Sequence, residues 1–166
     1  MKRILFPLVA LFSFFFTSCK KDTPEVVYTK VNVMKVTIVN FPDDDGGYYW
    51  DNQLEGLYPD VYFKVSIAGT SSVLYDAGSG SRKENLRLTD LPFSWAFTNG
   101  GSIYSSNNLY QGIDIDLYDY DIASADEYMG SATFNPIAYT TGSNKYPSTV
   151  TVTNGRVSIK LDLTWQ

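Results

Sequence analysis

The sequence predicts an all-β fold, an eight-stranded antiparallel sandwich, and three observations predict it. Short runs of strict apolar–polar alternation recur, clearest over Val61 to Ile67 and over Ile113 to Leu117. The composition suits strands, with thirteen tyrosines, ten phenylalanines and many Val, Ile and Thr. Asn154-Gly155 separates two alternating runs near the C-terminus, the signal of a two-residue hairpin. No segment has a convincing amphipathic helical spacing.

The fold begins after a leader. Lys2 and Arg3 precede a nearly unbroken apolar run from Ile4 to Phe16, followed by the small Thr17 and Ser18. Residues 1–18 read as a secretory signal peptide, too short for a comfortable membrane span. Phe16-Thr17-Ser18-Cys19 resembles a bacterial lipoprotein processing site, with Phe16 where Leu is usual. The resemblance implies cleavage before Cys19 and acylation of that cysteine, which places the protein in the bacterial cell envelope, held to a membrane. An ordinary signal peptide with an incidental cysteine is the competing reading. Lys20 stands where an Asp would mark inner-membrane retention, so an outer-membrane address is favoured. Residues 19–25 are then the acylated cysteine and a polar tether, and 26–166 the sandwich domain.

Charge and composition exclude several functions. Taking two positive and no negative charges from 13 and 18 leaves 11 Lys+Arg against 18 Asp+Glu after Ser18, a net of −7. That balance argues against nucleic acid, which needs a basic face. The absence of histidine excludes His-ligated zinc and both Ser-His-Asp and Cys-His catalysis. A single cysteine permits neither an intrachain disulfide nor thiolate zinc.

The strands follow in order. The β pattern starts at Val26. Met34, Val36 and Ile38 alternate as a first core strand, and the opposite parity of Val31 and Val33 predicts a bulge near Val33–Met34. Asn40 to Pro59 reads as a long loop of a kind that is usually functional or disordered. It contains three consecutive Asp, Gly46-Gly47, Tyr48, Tyr49, Trp50, Asp51 and Glu55. Val61, Phe63, Val65 and Ile67 point inward, with Tyr62, Lys64 and Ser66 outward. Val73 to Tyr75 is a short strand, and Asp76 to Glu84 a flexible connection. Leu86, Leu88 and Leu91 lead to the alternating Phe93, Trp95 and Phe97. Turns follow at Asn99 to Ser102 and at Ser105 to Asn108, and Leu109 begins the central strand. Ser131 to Asn135 is a strand with Ala132 and Phe134 on one face, and Pro136 to Pro147 is irregular. With a type I′ turn at Asn154-Gly155, Val152 faces Val157 and Val150 faces Ile159.

The chain is organised around Gln111 to Gly130. Ile113, Ile115 and Leu117 fill the core-facing side of a strand, and the same parity then lands on Asp119 and Asp121. Asp126 and Glu127 follow, before a glycine able to close the loop. Carboxylates converging at a strand end suit a hard divalent cation, Ca2+ above all. A solvated acidic turn fits the same residues.

From about Met34 to Gln166 the sequence resembles a C2 domain, an eight-stranded sandwich that binds Ca2+ in loops at one end. Gly56 to Val65 (GLYPDVYFKV) is similar to the family's first metal loop, with one extra residue before Asp60 and Val61 where Pro is usual. Phe93 to Phe97 is similar to the aromatic strand before the central one, without its Asn-Pro lead-in. Asp119, Asp121, Glu127 and Gly130 fall on the third loop's pattern without a gap, Glu127 replacing the usual Asp with Asp126 beside it. The resemblance implies Asp60, Asp119, Asp121 and Glu127 or Asp126 as ligands, with Asp51 as the other first-loop acid. It also implies apolar loop tips that meet a surface: Tyr48, Tyr49, Trp50, Leu57 and Tyr58, opposite Tyr128 and Met129.

Three functions fit these residues. The leading reading is a non-enzymatic lipoprotein whose loops bind Ca2+ and a phospholipid, glycan or envelope-protein surface. The second is a metal-free glycan- or protein-binding sandwich that uses the loop aromatics. The third, a hydrolase with Asp119 and Asp121 as acid and base, is the weakest, because no substrate cleft is legible.

Overall fold

The computed structural model describes residues 25–51, 57–96 and 101–166. The expected signal peptide, Cys19 and the expected tether before Glu25, and the expectations for Glu55, Gly56, Phe97, Asn99 and Gly100, lie outside the described residues. What is described is an antiparallel sandwich of two sheets.

The first sheet is ordered β10 (Thr149–Asn154), β11 (Val157–Trp165), β1 (Val31–Asn40), β6 (Phe93–Ala96). β7 (Tyr104–Ser106) shares β6's place, pairing with Val31 to Val33 while β6 pairs with Lys35 to Ile38. The second sheet is ordered β5 (Val73–Asp76), β4 (Val61–Ile67), β8 (Ile113–Asp119), β9 (Glu127–Phe134). Counting β6 and β7 as one position gives eight places, the number expected. A small hairpin, β2 (Asp44–Asp45) and β3 (Tyr48–Tyr49), stands apart.

The core lies between the sheets. β4 and β8 contribute Val61, Phe63, Val65, Ile113, Ile115 and Leu117, all buried. β11 contributes Val157, Ile159, Leu161 and Leu163. The expected bulge in β1 is present as a register shift between Val33 and Lys35. It lets Val31 and Val33 and then Val36 and Ile38 face the same core despite their opposite parity. Met34, at the shift, is only half-buried and is not the core residue expected.

Several boundaries differ from the sequence reading. β1 starts at Val31, and Val26 and Val27 are exposed, since nothing pairs residues 25–28 into a sheet. The segment read as one long loop contains β2–β3, turned by Gly46 and Gly47, whose φ of +63° and +108° meet the positive values a type I′ turn needs. Tyr62 and Ser66, expected outward, are buried under neighbouring side chains. Ser105 lies in β7 rather than in a turn, and Leu109 precedes β8 instead of opening it. The C-terminal turn is Gly155-Arg156, so Val152 pairs with Ile159 and Val150 with Leu161. Only Gly155 of that pair has positive φ, the type II′ pattern. The slide keeps parity, so the apolar face is unchanged.

Candidate functional site

β1, β4, β8, β9 and the β10–β11 turn bring one set of loops to a common end. Asn40 ends β1, Val61 opens β4, and Asp119 pairs with both Val61 and Glu127. Gly130 packs against Val157 beside the β10–β11 turn. Residues 25–30 lie at the opposite end, where the Thr29 and Lys30 amides donate to the Gln166 carbonyl and Glu25 pairs with Lys145.

Asp119 is the centre of the loop end. Alternation along β8 turns its side chain inward, and it is 1% exposed. Oδ1 accepts the Asp60 amide at 2.7 Å, and the Tyr120 amide donates to the Asp60 carbonyl at 3.1 Å, so the entry to β4 is clipped to the exit of β8. Oδ2 is buried without a hydrogen-bond partner in the structure. Burial raises the carboxyl to about 7, the amide bond opposes that, and the charges of Asp51, Asp121 and Asp60 add to the rise. Asp51 is also raised, first by burial and then by Asp121 and Asp60. Asp51, Asp60, Asp119 and Asp121 therefore act on one another, while Asp126 and Glu127 of the expected set do not join them.

The other expected ligands are placed differently. Asp60 is engaged on both oxygens: Oδ1 accepts the Asn85 amide at 2.8 Å and Oδ2 pairs with Arg82 Nε at 3.1 Å. Asp126 turns to the outer face of β4, where Tyr62 donates its hydroxyl to Oδ2 at 2.5 Å, and Oδ1 accepts the Asp121 amide at 3.4 Å. Glu127 is exposed within β9. Gly130 does not close a loop; it lies inside β9 opposite Leu117, beside a register shift, with φ of +129°.

A hard cation fits this end in donor chemistry. Asp119 Oδ2 is a buried carboxyl oxygen without a hydrogen-bond partner, with three further carboxylates acting on it. Among the described residues, no three acids yet converge tightly enough to enclose an ion.

Arg82 is the residue at this site that the sequence reading missed. It pairs with Asp60 and Glu84, and its guanidinium lies 4.6 Å from the centre of the Tyr120 ring. In sequence it sits in a Gly-Ser run, with no periodicity to aim it. Ile122, 88% exposed between β8 and β9, is a further apolar tip that strand alternation could not locate.

The expected tips divide into two groups. Tyr48, Tyr49, Leu57 and Tyr128 are exposed. Trp50 instead packs half-buried against the core and donates its indole N–H to the Pro42 carbonyl at 2.7 Å. Tyr58 lies under the Arg87 guanidinium, 4.4 Å from its ring centre. Met129 is a core residue, 5% exposed, and cannot enter an interface, because β9 begins before it and turns it inward.

No protein-family model matches the chain, and no curated protein matches it. Among solved structures, a C2 domain of plant Extended Synaptotagmin 1 (the domain designated A) aligns over 82% of this chain and 92% of its own, at 13% identity and a TM-score of 0.36.

Proposed function

We propose that this protein is a non-enzymatic, lipid-anchored binding protein of the bacterial envelope, attached through acylated Cys19 and most consistent with an outer-membrane address. Its C2-like loop end takes up Ca2+ and presents aromatic tips to a surface. One observation carries the metal reading. A carboxylate that is 1% exposed keeps an oxygen without a partner while three other carboxylates act on it. Such an oxygen is destabilising unless a proton or a cation meets it. In this role Asp119, Asp121 and Asp51 hold the ion, and Asp60 joins them when it leaves Arg82. Bound Ca2+ would neutralise the acidic loops and fix the β8–β9 loop against the entry to β4.

The Arg82–Asp60 pair supports a second reading, in which Arg82 is the site's own permanent counter-charge and the sandwich binds its target without metal. Thermal unfolding separates the two. A ligand that binds only the folded state raises the midpoint with the logarithm of its concentration. The metal reading expects such a rise in millimolar Ca2+ over chelator, abolished by Asp119→Asn with Asp121→Asn. It further expects Arg82→Ala to lower the midpoint in chelator and to enlarge the Ca2+ response. No response at several millimolar, with Arg82→Ala simply less stable, establishes the metal-free reading instead.

A further inference from the structure

The loop end also holds an open cavity of about 570 Å3 between the β2–β3 hairpin, the start of β9 and the β10–β11 turn. Trp50 and Tyr128 line it together with Asp44, Asp45, Asn154 and Arg156. Its walls are held in place. The Trp50 indole is fixed by its bond to Pro42, and Arg156 pairs with Asp43 and Asp44. Gly130 lets β9 approach β11 more closely than a side chain would, since a Cβ there would lie 2.8 Å from Val157 Cγ2. Tyr128, Asp45 and Asn154 remain exposed towards solvent.

Aromatic rings beside a carboxylate and an amide in one shallow dish suit a ligand that is apolar on one face and rich in hydroxyls at its edge. The rings take the apolar face, and the carboxylate and amide take the hydroxyls. A sugar ring has that shape, and the volume is in the range of small-ligand sites. The acid-rich lining, whose one cation is already paired, offers nothing to an anionic headgroup.

Chain length argues against the anchoring bilayer as the target. The six residue steps from Cys19 to Glu25 span at most about 22 Å however they are arranged. Glu25 sits at the far end of the sandwich, and the ten residues of β1 alone separate the two ends by roughly 30 Å. The loop end therefore cannot press end-on onto the membrane that holds the acyl chain.

We propose that this cavity binds a neutral saccharide unit of a polymer lying beyond the anchoring membrane; the proposal rests on the anchored binding-protein reading above. The test uses the full lipidated chain in phosphatidylcholine vesicles, with fluorescent soluble glucan, mannan and xylan as probes. Flotation of the protein with the vesicles reads the anchor, and co-flotation of a glycan reads the cavity. At least one glycan is expected to float, with retention reduced tenfold or more by Tyr128→Ala and by Asn154→Ala while the protein still floats. No glycan retained, or equal retention by both variants, overturns the proposal. Clustering of phosphatidylserine vesicles without glycan retention overturns it in favour of a lipid surface in trans. A protein that fails to float overturns the anchor instead, and sedimentation with insoluble forms of the same glycans, read with the same variants, then decides the cavity.

Discussion

Asp119 continues the inward parity of Ile113, Ile115 and Leu117, so β8 buries a carboxyl where it would otherwise bury an aliphatic group. Its native pKa of about 7, against an ordinary 3.8, has a definite consequence for stability. Below 3.8 both folded and unfolded chains carry the proton. Between 3.8 and 7 the unfolded chain ionises while the folded one holds its proton, so the folded state binds more protons and stability falls as pH rises. Three pKa units correspond to about 4 kcal/mol. In chelator, urea midpoints should therefore fall from pH 4 to pH 7 and level off above, and Asp119→Asn should flatten that slope. A slope unchanged by the substitution would place the titrating group elsewhere. Burial of Asp119 was legible from alternation alone. Its orphaned oxygen was not, because that depends on the Asp60 backbone and on where Arg82 lies, neither of which a local pattern encodes.

Elements were legible where one face is apolar and obscure where turns or distant pairs decide. β8 and β11 follow their alternation closely, whereas β4 buries Tyr62 and Ser66 as well as its core-facing residues. The start of β9 was hidden because Asp126 and Glu127 read as loop, and only pairing with Asp119 and Tyr118 makes Glu127 and Tyr128 a strand. The C-terminal turn could form at Asn154-Gly155 or at Gly155-Arg156, and the latter leaves Arg156 in the turn, facing Asp43 and Asp44. β7 escaped notice because three residues are too few to show a period, and its place is set by Val31 to Val33. Gly130 marks the point where β9 depends most on a missing side chain. Its φ of +129° strains any L-residue, and a Cβ would meet Val157 at 2.8 Å. Gly130→Ala should therefore cost about 1–3 kcal/mol. The measurement is a lower urea midpoint at unchanged slope. Gly80→Ala, at a position with no atom within 4 Å of the new Cβ and no positive φ, is the control and should stay within about 0.5 kcal/mol.

At the scale of the whole molecule, the sandwich separates two sets of loops by the length of its strands. One end holds residues 25–30; the other carries the acidic cluster, the exposed Tyr48, Tyr49 and Tyr128, and the cavity. The sequence showed an all-β sandwich with acids at the end of its central strand, but not which loops share an end, because that needs both sheets' registers at once. The resulting polarity can be measured directly. Cys19 is the only cysteine, and on the lipid-anchored reading proposed above acylation blocks it, so an introduced thiol is then a unique labelling site. Tyr48, 82% exposed at the loop end, and Tyr110, 83% exposed at the tether end, can each be replaced without disturbing the core. In vesicles carrying a headgroup quencher, a dye on Tyr110→Cys should be quenched and a dye on Tyr48→Cys should stay bright, with or without Ca2+. With Cys19 as the anchor, the roughly 30 Å along β1 exceeds what six residue steps can return, so the proposed attachment together with chain length requires brightness at position 48. Quenching at position 48 would mean that the loops reach the anchoring bilayer, and the target would then have to be sought among its own lipids.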